Sequence, residues 1–248
     1  MQKVLVTGGS RGIGRAIATR FASEGAWVAL TYRSNKEAAE EAVSLAQAAA
    51  DSDDVRVEAF QLDVCDSDGV DATVDDIIAA FDGLDVVVNN AGIMENQAAA
   101  MMSDEAWSKV IETNLTGPFY VCRAVLTHFM LQRSGRIINM ASIAEDGASG
   151  QANYAASKAG LIGLTRSLAR EYGPRGLTAN CVVPGLVQTE MIEEADERLV
   201  EHWEEFCPAQ RLATVEEVAD AVWYLSRPAA SFVNGAVLRV SGGLDVAP

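Results

Sequence analysis

Short runs of β-branched residues alternate with longer helical patterns along nearly the whole chain, and this alternation constrains the fold more than any other feature. The candidate strands are KVLVT (3–7), WVALTY (27–32), VRVEAFQL (55–62), LDVVVNN (84–90), GRIINMAS (135–142), LTANCVV (177–183) and AVLRV (236–240). Several are almost unbroken apolar runs, as a parallel sheet covered on both faces requires. Helical periodicity fills the intervals at 12–23, 35–50, 67–81, 104–131, 152–172 and 214–226. The pattern predicts an α/β fold, a doubly wound sheet of about seven parallel strands with helices on both faces. No linker and no internal repeat divides the chain, so residues 1–248 are expected to form one domain. The segment LVQTEMIEEADERLVEHWEEFCPAQ (186–210) breaks the alternation. It is acidic with scattered apolar anchors and reads as a substrate lid of one or two short helices over the carboxyl edge of the sheet. The plainer alternative is an ordinary surface excursion.

Charge and composition exclude several classes of function. A formal net charge of −16 opposes nucleic acid and anionic membrane surfaces as partners. The four cysteines, Cys65, Cys122, Cys181 and Cys207, form no CxxC pair and read as reduced thiols. His128 and His202 are far apart, with no ligand cluster around either, so no metal site is expected. No signal-peptide cleavage pattern occurs, and no apolar run reaches about 18 residues. The expected location is the cytoplasm.

The stretch VTGGSRGIG (6–14) joins the first strand to the first helix and predicts a Rossmann dinucleotide site. Gly8, Gly12 and Gly14 allow a sharp turn, close approach to a pyrophosphate and tight helix–strand packing. The helix N-terminus beyond them, with Ser10, Arg11 and Ile13, supplies free N–H groups and a positive dipole end. The second strand ends Thr31-Tyr32-Arg33-Ser34, without the acid that binds the ribose 2′-hydroxyl of NAD. Arg33, with Arg11 from the glycine turn, therefore favours NADP(H); the alternative makes Arg33 a solvated loop residue. Asp63 and Val64 end the third strand, where Asp63 is placed to accept from the adenine amino group. Asn89, Asn90, Ala91 and Gly92 end the fourth: the asparagines are expected to bond backbone groups of neighbouring strands, and Ala91-Gly92 to leave room for a ribose.

Tyr154 and Lys158 stand four residues apart in YAASK, one turn apart on one helix face. A nearby ammonium favours a phenolate, so the pair reads as a tuned acid whose phenol is lowered from about 10. Asn114 lies within the 104–131 pattern. Pro118, four residues later, has no N–H to donate to its carbonyl. That carbonyl is then open to water, or the proline simply kinks the helix.

These segments resemble the short-chain dehydrogenase/reductase family. TGGSRGIG, NNAG, Asn114 in ETNLTG, Ser142 in NMAS, YAASK and PGLVQTEM follow its order and spacing over essentially the whole chain. The subgroup most similar is the 3-oxoacyl-acyl-carrier-protein reductases, through SRGIGRAIA, QANYAASKAGLIGLTRSLARE and VNGAVLRVSGG. The resemblance implies NADPH-dependent ketone reduction. In it Tyr154 is the proton donor, Ser142 bonds the substrate oxygen, Lys158 also holds the nicotinamide ribose, and Asn114 holds a relay water. It further implies Pro184, Gly185, Val187 and Thr189 around the nicotinamide, and a homotetramer or dimer.

The resemblance thins where a carrier protein docks. The subgroup is rich in basic residues before GRII, beside the active-site entrance. Here Thr127 and His128 stand in that region, and Arg133, Arg136 and Arg170 remain. The loop IMENQAAAMM, with Glu95, also departs. The substrate thus stays open between a 3-oxoacyl thioester, carrier-bound or not, and a small alcohol, sugar or cyclic ketone. A non-catalytic NADP(H) sensor has no need of Asn114, Ser142, Tyr154 and Lys158 together.

Overall fold

The strands are β1 (Lys3–Val6), β2 (Trp27–Tyr32), β3 (Val57–Gln61), β4 (Val86–Asn89), β5 (Gly135–Met140), β6 (Leu177–Pro184) and β7 (Val237–Val240). In the computed structural model, which describes residues 1–189 and 204–244, they form one parallel sheet in the order β3-β2-β1-β4-β5-β6-β7. The order reverses between β1 and β4, and such a reversal opens a crevice at the carboxyl ends of the strands.

The helices are α1 (Gly12–Ser23), α2 (Lys36–Ala48), α3 (Ser67–Phe81), α4 (Asp104–Ile111), α5 (Gly117–Gln132), α6 (Ala152–Tyr172) and α7 (Val215–Ser226). Side chains of successive strand residues point to opposite faces, and β1 shows the consequence. Val4 and Val6 join a core with Ile17 and Phe21 of α1, Ala42 of α2 and Val222 of α7. Leu5, between them, joins the opposite core with Ile77 of α3, Val125 and Phe129 of α5 and Leu168 of α6. Two buried faces leave no place for polar alternation, which is why the strands read as apolar runs.

Local chemistry sets the helix starts. Asn35, Asp66 and Ser103 accept from Ala38, Gly69 and Ala106 N–H to cap α2, α3 and α4. Thr214 and Glu217 form a reciprocal capping box on α7. The N-cap of α1, Arg11, makes no such bond. Its first-turn N–H groups keep no side-chain cap.

The expected single helix over 104–131 is broken. A π turn, Glu112–Thr116, separates α4 from α5, with Gly117 N–H reaching five residues back to the Glu112 carbonyl. Pro118 sits in the first turn of α5, where a missing N–H costs least. The wider turn takes up one extra residue before the proline.

The expected lid at 186–210 falls mainly on 190–203, which lie outside the described residues. Its two stems are joined: Gln188 N–H donates to the Ala213 carbonyl (2.8 Å) and Ala213 N–H to the Leu186 carbonyl (3.0 Å). No described helix is long and apolar enough to cross a membrane.

Candidate active site

The glycine turn is built as a backbone cradle. Gly8 has φ +64°, and a Cβ there would stand 2.9 Å from Ala91 Cα. A Cβ on Gly14 would overlap the Gly8 carbonyl oxygen and stand 2.5 Å from Asn90 Nδ2. Asn90 Nδ2 donates to the carbonyls of Thr7 (3.1 Å) and Gly8 (3.0 Å). The Thr7 hydroxyl accepts from the N–H groups of Asn90 and Ala91. Asn90 thus bonds backbone as expected and ties β1 to β4 at the point where the sheet order reverses. Thr7 does equal work, and the sequence reading passed over it. Asn89 behaves differently from its expectation: its Nδ2 donates to Asn139 Oδ1 (2.8 Å) and to the Cys122 sulfur, both side chains.

A cavity of about 270 Å³ opens over this cradle. Of the expected cofactor residues, Gly8, Ser10, Arg11, Arg33, Asp63, Val64, Asn90, Ala91 and Gly92 line it. Thr31, Ser34, Asn35 and Thr113 line it too and were not singled out from the sequence. Arg11 and Arg33 are exposed, and among the described residues neither guanidinium has an ion-pair partner. Asp63 Oδ1 accepts from Cys65 N–H (3.0 Å). Gly12, Ile13 and Gly14 open α1 beneath the turn, and a Cβ on Gly12 would lie 3.7 Å from Thr189 Cγ2. Pro184 ends β6. Gly185 N–H donates to the Val240 carbonyl (2.9 Å), and Val187 is buried beside the stem bridge.

Beyond the cavity the chemical groups converge. Ser142 follows β5, and its hydroxyl lies close enough to the Tyr154 phenol to act on its protonation. The Lys158 ammonium lies 5.5 Å from the centroid of the Tyr154 ring, within cation–π range, and donates to the Met140 carbonyl at 2.7 Å. A Cβ on Gly92 would meet Asn114 Oδ1 at 3.3 Å and Lys158 Nζ at 3.5 Å, so glycine keeps this corner open.

Burial governs the protonation of the pair. It pushes the Tyr154 phenol up, and the Ser142 hydroxyl offsets only part of this. It brings Lys158 down to about 8, with the neighbouring Cys181 acting in the opposite sense. This corrects the expectation that Lys158 leaves the phenol below its ordinary range. Both charged forms lose water, and the ammonium is directed at a backbone carbonyl.

Asn114 is fully buried. Its Oδ1 accepts from Ile93 N–H (2.8 Å), and its Nδ2 donates to the Ile93 carbonyl (2.9 Å) and Ser157 Oγ (3.2 Å). The side chain therefore clamps the loop after β4 onto α6, a duty the sequence reading did not assign. Asn153 is a second such clamp. It donates to the carbonyls of Glu95 and Ala106 and accepts from Tyr154 N–H at 2.8 Å. Its place beside Tyr154 was the only available signal.

A family profile described as enoyl-(acyl carrier protein) reductase matches residues 8–245. The 3-oxoacyl-[acyl-carrier-protein] reductase FabG of Chlamydia muridarum is 41% identical over 97% of this chain and 96% of its own. The enzyme of the same name from Vibrio cholerae is 42% identical with the same coverage. A solved double mutant of a Serratia marcescens short-chain dehydrogenase/reductase superposes with a TM-score of 0.90, at 35% identity over 98% of each chain. The chain belongs to the short-chain dehydrogenase/reductase family.

Short-chain dehydrogenase/reductase membership makes the protein an oxidoreductase of the C–OH/C=O couple with a nicotinamide cofactor. The residues present fit that group: a glycine turn in which a Cβ at Gly8 or Gly14 would clash, an uncapped helix start, and two guanidiniums beside the cavity with no ion-pair partner among the described residues. The arginines that remain from the carrier-docking region lie away from the catalytic groups within one chain. Arg133 ends α5, Arg136 begins β5 and Arg170 lies near the end of α6. The two helices run opposite to the strands, so all three arginines sit at the amino edge of the sheet. Ser142 and Tyr154 sit at the carboxyl edge.

Proposed function

We propose that the protein reduces the ketone of a 3-oxoacyl thioester to the alcohol, with NADPH as the hydride donor. The observation that carries this reading is the half-buried Ser142 hydroxyl and Tyr154 phenol with the buried Lys158 ammonium, beside a dinucleotide cradle. The identities of 41% and 42% to two reductases named for that substrate support it. NADPH supplies the hydride when bound. Arg11 and Arg33 would hold its 2′-phosphate, the α1 amides behind Gly8, Ser10, Gly12, Ile13 and Gly14 its pyrophosphate, and Asp63 and Val64 its adenine. Asn90, Ala91 and Gly92 would line one ribose, and Tyr154 and Lys158 would hold the other. Pro184, Gly185, Val187 and Thr189 would flank the nicotinamide.

The chain's own chemistry is proton delivery. Ser142 donates to the substrate oxygen and orients it. Tyr154 gives up its proton as that oxygen becomes an alkoxide. An alkoxide is about as basic as hydroxide, whose parent water has a pKa of about 15.7, so transfer is downhill even from a phenol pushed above its usual range. The Lys158 charge then stabilises the phenolate, and Asn114 anchors the path by which the proton is restored.

The test is NADPH and NADH oxidation with an acetoacetyl thioester, a crotonyl thioester, simple ketones and sugars. The expected result is fastest turnover of the acetoacetyl thioester with NADPH. Turnover of the crotonyl thioester alone would move the protein to C=C reduction, the activity named by the family profile. Preference for a simple ketone or sugar would make it a small-alcohol dehydrogenase, and tight NADPH binding without turnover a sensor. Arg33→Ala is expected to weaken NADPH binding about tenfold or more and NADH binding little, since a charged hydrogen bond contributes about 1.5–3 kcal/mol. Equal weakening of both would remove the NADP assignment. The reading takes the acyl thioester free or carrier-bound, as the names of the two reductases allow, although Arg133, Arg136 and Arg170 lie at the far edge. It includes self-association as a tetramer or dimer. Trp107 and Phe119 are 43% and 44% exposed and Phe232 fully so, and light scattering measures the mass.

A further inference from the structure

Arg239 stands on β7, two strands from the strand that leads to Ser142, yet its guanidinium reaches the turn that Ser142 begins. The register sets Arg239 beside Val183 of β6. Val183, Cys181 and Val237 pack on one face with Ala141 and Ile143. Arg239 rises from that face and crosses β6 to Glu145 Oε1 at 2.7 Å and Asp146 Oδ2 at 3.1 Å. The Glu145 side chain is only 3% exposed. Burying a carboxylate costs several kcal/mol unless it is paired, and Arg239 supplies a cation directly against it.

The turn held in this way is Ile143–Asp146, and Ser142 is its N-cap. Ser142 Oγ accepts from Ala144 N–H (3.2 Å), and the Ser142 carbonyl accepts from Glu145 N–H (3.0 Å). Gly147, at φ +110°, then reverses the chain. The Glu145 backbone fixes Ser142 from within, and its side chain is fixed from outside by β7. There is also an electrostatic need. A bare carboxylate three residues from the hydroxyl that receives a developing alkoxide would oppose that charge, and Arg239 offsets it. Among the described residues, the other ionisable groups at this corner are Asp146 on the turn, Cys181 on β6, and Tyr154 and Lys158 on α6.

We propose that Arg239 is a positioning residue: through Glu145 it holds the Ser142 hydroxyl against the Tyr154 phenol, so that the last strand sets the geometry of the catalytic serine. The inference deepens the reduction proposed above, and one readout of its test does not depend on that reaction.

The experiment uses the full chain with Arg239→Met, Glu145→Gln and Arg239→Lys, and Ser142→Ala as the reference. NMR of isotope-labelled tyrosine, with Tyr154 assigned through Tyr154→Phe, reports the effect of the Ser142 hydroxyl on the Tyr154 phenol at neutral pH without substrate. Arg239→Met and Glu145→Gln are expected to move the Tyr154 signal in the direction that Ser142→Ala moves it. They should also lower kcat about tenfold or more while KM stays within about twofold. Arg239→Lys, which keeps the charge and loses the fork, is expected to recover most of both. Breaking a buried pair can unfold a chain. Where melting shows Arg239→Met or Glu145→Gln unfolded, Arg239→Gln, which still donates hydrogen bonds, is read in its place. A folded uncharged variant with a wild-type Tyr154 signal would overturn the proposal, as would one with wild-type kcat. If the wild type turns over no substrate, the reduction fails and the Tyr154 signal alone decides the role of Arg239.

Discussion

Tyr154 and Lys158 need opposite protonation habits, and burial pushes each toward neutrality. Ketone reduction requires a protonated phenol, which a raised pKa ensures, and a charged lysine, which a pKa of about 8 allows only below that pH. The reduction rate is therefore expected to fall on the alkaline side with a midpoint near 8, read from kcat against pH. Tyr154→Phe is expected to cut turnover about 10²–10⁴-fold with NADPH binding unchanged by fluorescence titration. Retained turnover would end the proton-donor assignment. The pairing itself was legible, because four residues in a helix make one turn. The direction of the phenol's shift was not, because depth of burial is a property of the packed sheet. The partnership of Glu145 with Arg239 was equally hidden, since their 94-residue separation carries no local pattern.

At the scale of elements, strands and helices were legible to within a few residues because both sheet faces are covered and each strand is a plain apolar run. The π turn at Glu112–Thr116 was not, because its one extra residue leaves the apolar periodicity on either side intact. The glycine turn makes a sharp prediction. Gly14→Ala would press a methyl into the Gly8 carbonyl and the Asn90 amide, and it is expected to abolish dinucleotide binding by calorimetry while the protein remains folded by circular dichroism. The start of α7 gives a pH prediction. Arg211, then the Thr214 N–H, hold Glu217 down at about 2 from 4.5. A depressed carboxyl stabilises the fold above its unfolded value, and that contribution is lost as pH falls through the folded value. Glu217→Gln should thus lower Tm near neutrality and leave it unchanged near pH 2, by calorimetric melts.

Across the whole molecule, the buried ammonium of Lys158 trades stability for chemistry. Its folded pKa of about 8 lies below the ordinary 10.5. The unfolded chain therefore binds more protons between these values, and stability rises with pH across that window. Relative to Lys158→Met, the wild type is expected to gain up to about 3 kcal/mol over it, at about 1.36 kcal/mol per pKa unit, measured by urea melts at each pH. The seam of Asn89, Asn139 and Thr165 bears on how the chain assembles. Asn89 stands in register with Asn139, and Asn139 donates to Thr165 at 2.8 Å. Slipping β4 by one residue against β5 would set the Asn89 amide beside Ile138 and take the donor from Asn139 Oδ1, at about 1–3 kcal/mol for each lost partner. Two amides amid valines and isoleucines thus act as a proofreading mark, by which a wrongly threaded sheet rejects itself before it can persist.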